Sequence, residues 1–269
     1  MGVLKVFRDL MSFLTTISPT KDEGFVETSA RSMFLFPLIA ALIGFLVGLY
    51  SLFTFNFLSF LFSFLNSAFF FNTLNVFLSY LPKVLASVMT LAFLFVLTGL
   101  QHLDGLVDFG NALGIRRASV EEKIRIAHAW TVTRTGAFLA VSVSFCALLF
   151  IFLIKPEELI QSLVVAETSA KLAMVTCAWQ GSSSRKGLGS IFLDSMNKRH
   201  GSYLVSLVIS MVVGVLLSGL QGVLAVTLGI AVGGLMMMVS KRVFGGVNGD
   251  VFGATNEIGR MVALFALWW

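Results

Sequence analysis

The sequence predicts an all-α, polytopic transmembrane helix bundle of about six to seven spans, with an N-terminal interfacial helix and a re-entrant or interfacial hydrophobic segment. Two observations carry this. Of the 269 residues, 57% are hydrophobic and 12% charged, and the mean hydropathy is +0.92; soluble domains hold roughly 45–50% apolar and about 25% charged residues. The apolar residues also gather into runs near the ~20 residues that a spanning helix needs. No stretch is left for a separate soluble domain, so residues 1–269 read as a single integral membrane domain.

The chain opens with "MGVLKVFRDLMSFLTTISP". Lys5, Arg8 and Asp9 interrupt its apolar character, and no small-residue cleavage site follows, which argues against a signal peptide. Val3, Leu4, Phe7, Leu10, Met11 and Leu14 recur at helical spacing, as in an amphipathic helix lying in the membrane interface. Spans are then expected near 33–54, 83–101, 136–154, 158–180, 203–219 and 221–240, with a short one at 258–269. At about 1.5 Å per residue that last one reaches only ~18 Å. Residues 55–82 are Phe-rich but broken by Asn56, Asn66, Asn72 and Asn75. Too short for two spans, they are expected to form an interfacial or re-entrant hairpin.

With no full span in 55–82, the loops 102–135, 181–202 and 241–257 share a side with the N-terminus. Of the 19 lysines and arginines, all but Lys83, Lys155 and Lys171 then fall on that side. The positive-inside rule makes it cytoplasmic. The net charge of +5 is accounted for by these loops, and no nucleic-acid partner is expected. Cys146 and Cys177 lie in apolar runs without metal-ligand spacing.

Four polar clusters interrupt this pattern. In "GLQHLDGLVDFGNAL", His102 precedes Asp104 and Asp108, which share a face if the segment is helical. Paired carboxylates repel unless a cation lies between them, and a divalent metal or a solvated helix end both answer that. Glu167 and Lys171 stand four apart inside a span, either facing a cavity or forming a closed structural pair. In "QGSSSRKGLGSIF", Arg185 and Lys186 among serines and glycines suit phosphate, or equally an anionic lipid surface. In "GGVNGDVFGATNEIGR", Asn248, Asp250 and Glu257 supply a second acid pair, with Asp250 and Glu257 seven apart. His200 reads as a surface residue, and His128 can approach the site from the 114–135 loop but carries less weight beside unremarkable neighbours. Together the acid pairs suggest a metal-dependent phosphoryl transferase.

The motifs "GLQHLDGLVDFGNAL", "SSSRKGLGSIF" and "GGVNGDVFGATNEIGRMVALFAL", with the opening "LMSFLTTISP" and "FLFPLIAALIGFLVG", resemble in order those of the adenosylcobinamide-GDP ribazoletransferase (cobalamin synthase) family. The resemblance implies that adenosylcobinamide-GDP is joined to α-ribazole or α-ribazole 5′-phosphate. GMP leaves, Mg²⁺ is required, and adenosylcobalamin or its 5′-phosphate forms. Carried onto this chain, it implies Asp104 and Asp108, with Asp250 and Glu257, as Mg²⁺ ligands on the pyrophosphate. His102 would orient a carboxylate or take the acceptor's proton, Arg185 and Lys186 would offset phosphate charge, and Glu167 and Lys171 would line the cavity floor beside Asn248. A homo-oligomer in the lipid bilayer is compatible with this. Asn111 stands where the family often has another Asp, and "IAHAWTVTRTGAF" keeps His128 and Gly136 but no acid.

Two other readings remain. A CDP-alcohol phosphotransferase also uses aspartates at a membrane face, but Asp104-Gly105 is followed by "LVDF" without its Ala-Arg. An ion-coupled transporter would use Glu167 and Lys171, but no internal repeat is visible.

Overall fold

The computed structural model describes residues 2–17, 24–69, 75–115, 118–129, 131–183, 185–197 and 199–269, and side chains for all of these except 66–69 and 75–78. Lys21, Arg116, Arg117, Lys198, Ser184, Asn72 and the side chains of Asn66 and Asn75 therefore lie outside the described residues. All regular structure among the described residues is helical: α1 (Val3–Leu14), α2 (Phe25–Arg31), α3 (Phe36–Phe69), α4 (Asn75–Leu97), α5 (Gln101–Leu113), α6 (Val120–Ala127), α7 (Arg134–Leu153), α8 (Leu159–Gln180), α9 (Leu188–Met196), α10 (His200–Val243) and α11 (Gly249–Trp268). Five segments, carrying α3, α4, α7, α8 and α10, are long and apolar enough to cross a membrane. This is a membrane protein.

Helix α8 is the axis of the bundle. It is buried on every side from Ser162 to Ala178, as expected of a helix with no solvent or lipid face. Its neighbours reach it backbone to backbone. A Cβ on Gly44 of α3 would fall 2.5 Å from Leu163 O, and one on Gly233 of α10 would fall 2.4 Å from Ala173 O. Small residues at such crossings let membrane helices pack without a hydrophobic driving force between them.

The expected spans at 203–219 and 221–240 emerge as the two arms of α10. Gly219 breaks the helix with φ 53° and ψ −127°, a conformation glycine enters without a Cβ penalty. A Cβ on Gly222 would lie 2.0 Å from Gly214 O. Residues eight apart in a straight helix are ~12 Å apart, so the arms fold back as a hairpin.

Three expectations change. Residues 55–82 form no separate hairpin element: 55–69 continue α3 and 75–82 open α4. At ~1.5 Å per residue the 34-residue α3 is ~51 Å long, beyond the ~30 Å hydrocarbon core. Asn56 and Asn66 continue α3 and Asn75 opens α4, so these asparagines do not interrupt the helices. The final helix begins at Gly249 rather than near 258, because Asn248 caps it, its side chain accepting from the Val251 amide at 3.0 Å. The segment 102–135, read as a loop, holds α5 and α6. The amphipathic opening forms as α1: Leu10, Met11 and Leu14 pack into the core while Val3, Leu4 and Phe7 stay exposed.

Candidate active site

The site is built where α5 crosses the first turn of α11. Helix α4 stops in a Schellman turn, with Leu100 N donating to Phe95 O (2.9 Å) and Gly99 N to Val96 O (3.1 Å). Gly99 and Leu100 both take positive φ, 67° and 61°. For a leucine this is a left-handed conformation costing roughly 1–2 kcal/mol, and it redirects the chain into α5. Asp104 and Asp108 then lie one turn apart on α5. A Cβ on Gly105 would sit 3.0 Å from Asp250 O and 3.1 Å from Gly253 Cα. The helices thus meet as bare backbone, and the acids flanking the contact converge.

His128 arrives from a third direction. Ser119 caps α6 by accepting from the Glu122 amide at 3.2 Å, and His128 ends that helix. Its Nε2 lies 3.0 Å from Asp250 Oδ2, the oxygen that also accepts from Asn248 Nδ2 at 2.9 Å. Asp108, His128 and Asp250 each bring one ligand-type atom within 4.8 Å of the others. Asp104, Asp108 and His128 line one open cleft of about 390 Å³, walled by Thr131 and Val132. An adjoining cleft of about 370 Å³ is lined by His128, Asn248 and Asp250 together with Ser183, Arg185 and Lys186. Two contacts draw the basic loop in: Val247 N donates to Ser182 O at 3.0 Å, and a Cβ on Gly189 would lie 2.9 Å from the Asn248 carbonyl carbon.

Burial and the negative charges of Asp250 and Asp104 push the Asp108 carboxyl up to about 6, against the pull of His128. Burial also raises Asp250, opposed by His128 and by the hydrogen bond from Asn248. Acids held together at this cost in repulsion are typical of functional sites.

Asn111, where a further carboxylate was the familiar pattern, takes no position in the cluster. It is buried and fully engaged: Oδ1 accepts from Thr133 N and Oγ1, both at 2.9 Å, and Nδ2 donates to Thr131 O at 3.0 Å. A Cβ on Gly136 would meet Asn111 Oδ1 at 2.2 Å, so the retained glycine leaves room for this anchor. Asn111 therefore fixes the acid-free 131–133 segment as a wall of the cleft.

The remaining sequence-selected residues lie elsewhere. Glu167 and Lys171 are 3.7 Å apart and fully buried, and neither lines a described cleft. Lys171 donates to Asn256 Oδ1 at 2.5 Å, Asn256 donates to Glu257 Oε1 at 3.1 Å, and Arg260 bridges Glu257 and Glu167. Glu257, grouped by its spacing with Asp250, belongs to this interior network and is held by Arg260, a residue sequence reasoning did not single out. A seven-residue spacing puts two side chains on one helix face but two turns apart in depth. His102 is also buried, two residues before Asp104 on α5, and no hydrogen bond joins it to a carboxylate among the described residues. The histidine on the acids is His128. Its signal in the sequence was indirect: Ser119 followed three residues later by Glu122 is a helix-start pattern, which marks the beginning of α6 but not what His128 faces at its end.

The comparisons with known proteins can be set beside this geometry. A family model described as cobalamin-5-phosphate synthase matches residues 6–268. The chain belongs to this family. Among its relatives in the cobalamin-5-phosphate synthase family is an adenosylcobinamide-GDP ribazoletransferase of Methanocella arvoryzae, 33% identical, the match covering 98% of this chain and 95% of that protein. Proteins of the same name from Methanococcoides burtonii (34% identical, 70% of this chain, 72% of that protein) and Thermoplasma acidophilum (30%, 68% and 71%) are similar over shorter stretches. No solved structure matches the chain. Family membership supports a role for the chain in cobalamin synthesis.

Proposed function

We propose that the protein is an Mg²⁺-dependent adenosylcobinamide-GDP ribazoletransferase working at the cytoplasmic face of the membrane. The observation that carries this reading is the convergence of Asp104, Asp108, His128 and Asp250 beside Arg185 and Lys186, in a chain of the cobalamin-5-phosphate synthase family. The orientation rests on the basic loops. Arg185, Lys186, Lys241 and Arg242 lie toward this end of the bundle, whereas Lys83 is the cation over Phe152 at the α7 C-terminal end.

The donor set suits a hard cation. Asp250 Oδ2 is occupied by His128 and Asn248, which leaves Oδ1, with the Asp104 and Asp108 carboxylates, as oxygen ligands of the kind Mg²⁺ prefers. When bound there, Mg²⁺ supplies charge neutralisation on the pyrophosphate. Arg185 and Lys186 grip outer phosphate oxygens from the facing loop. The acceptor hydroxyl oxygen forms a bond to the phosphorus on the cobinamide side, the P–O bond to the bridging oxygen breaks, and GMP leaves with that oxygen. With Nε2–H donated to Asp250, Nδ1 of His128 is free to accept the hydroxyl proton. Thr131 and Val132, held by Asn111, close the cleft on the side of Asp108.

The test is GMP release by the purified protein given adenosylcobinamide-GDP and α-ribazole. GMP appearing with a joined cobalamin, only when Mg²⁺ and acceptor are both present, supports the reading; a folded sample with no turnover counts against it. A CDP-alcohol substrate in place of adenosylcobinamide-GDP is expected to give no product.

A further inference from the structure

Beside the two clefts at the acids lies a third cavity, to which the transfer step has so far assigned no group. It occupies about 210 Å³ at the α5–α11 crossing, where Asp104 and Asp250 are among its lining residues. Four helices each give it a ring: Phe13 from α1, Phe36 from α3, Phe192 from α9 and Phe252 from α11. Phe192 is the hinge of the set, with centroids 4.7 Å from Phe13, 5.9 Å from Phe36 and 6.5 Å from Phe252. His102 also lines it, buried, with Nδ1 lacking any hydrogen-bond partner among the described residues. An unpartnered buried imidazole among phenylalanines is costly unless a ligand completes it.

We propose that this cavity is the subsite for the flat aromatic base of the acceptor, a fused bicyclic ring whose free ring nitrogen accepts a hydrogen bond from His102. The inference rests on the transferase reading only for the acceptor's name. Size excludes the corrin, since whole drug-sized ligands fill roughly 300–1,000 Å³ and this space is smaller. Charge excludes the phosphates from its interior, since no lysine or arginine is among the described residues that line it. A guanine ring carries several donors and acceptors, and with Asp104 and Asp250 committed to the metal, His102 and Gln101 alone cannot meet them all. A benzimidazole-type ring has one free nitrogen and otherwise apolar faces and edges, which aromatic walls favour. His102 Nδ1 is the ring nitrogen without a partner among the described residues, and an N–H there donates to the free nitrogen of the base. A base seated here leaves its sugar at the rim, where the acceptor hydroxyl meets the His128–Asp250 pair.

The experiment is benzimidazole binding to the full-length protein in detergent by saturation-transfer NMR, with steady-state kinetics in parallel. Benzimidazole is expected to bind and to be displaced by α-ribazole, and guanosine to displace neither. Met174→Phe fills the cavity from α8; it is expected to weaken benzimidazole binding and raise KM for α-ribazole by about tenfold, leaving KM for adenosylcobinamide-GDP within about twofold. Phe13→Leu, on the outer helix α1, removes a wall without overpacking and is expected to give the same split by about threefold; it carries the test if Met174→Phe fails to fold. Unchanged benzimidazole binding in a folded variant, or a rise in the donor KM instead, overturns the assignment. Binding that Met174→Phe abolishes in a protein without GMP release keeps the subsite and removes the transferase reading.

Discussion

Two charged regions share helix α11 and differ in their charge balance. At its first turn, Asp250 meets Asp104, Asp108 and a single His128 in open clefts. Two turns deeper, Glu257 joins Glu167, Lys171 and Arg260, where two carboxylates face two cations and every member is buried. The interior group is complete, with Arg260 as the bridge between both acids. The open group has an excess of negative charge and two arginine- and lysine-bearing positions held back across a cleft. A balanced, sealed network reads as architecture; an unbalanced, accessible one needs a cation and a substrate to finish it.

The largest effect that separates the regions is on stability. Arg260→Ala leaves two carboxylates buried without their bridge and is expected to cost about 3–5 kcal/mol, read as a large drop in unfolding temperature in detergent. Asp108→Ala is expected to do the reverse: turnover falls by about 10²–10³-fold, the size seen when a preorganised electrostatic group is removed, with the unfolding temperature unchanged. His128→Gln, which removes the proton acceptor while keeping a donor toward Asp250, is expected to lower kcat by about 10–100-fold.

The smallest of these effects is in pH. Because Asp108 is raised to about 6 and a ligating carboxylate must be ionised, Mn²⁺ affinity measured by EPR should be level above pH 7 and fall as pH drops through 6. The stability contribution has the opposite sign in the metal-free protein. Between the ordinary 3.8 and about 6 the folded protein holds a proton that the unfolded chain has released, so Asp108 favours folding more as pH falls through that window. Asp108→Asn should flatten both curves.

Much of this architecture was legible in the residues because membrane spans announce themselves by composition. The split of 200–243 into two arms followed from the length of its apolar run. The extension of α3 through 55–69 was hidden by asparagines, whose cost depends on depth in the bilayer, and depth is not written in local sequence. Asp104, Asp108 and Asp250 were legible because paired acids at the end of an apolar run have few structural uses. Glu257 was misplaced with them because helical spacing fixes a face and not the partner across it. Arg260 escaped notice and His128 was given little weight for the same reason: each gains its meaning from another helix, Arg260 from Glu167 on α8 and His128 from Asp250 on α11.

The most direct measurement compares Asp250→Asn with Glu257→Gln, two neutral replacements of acids on one helix, by GMP release per folded molecule and unfolding temperature on the same preparations. The charge-balance account predicts that Asp250→Asn keeps its unfolding temperature and loses turnover. Glu257→Gln should keep turnover per folded molecule and unfold earlier. Loss of turnover in a stable Glu257→Gln protein, or full activity in Asp250→Asn, would contradict it.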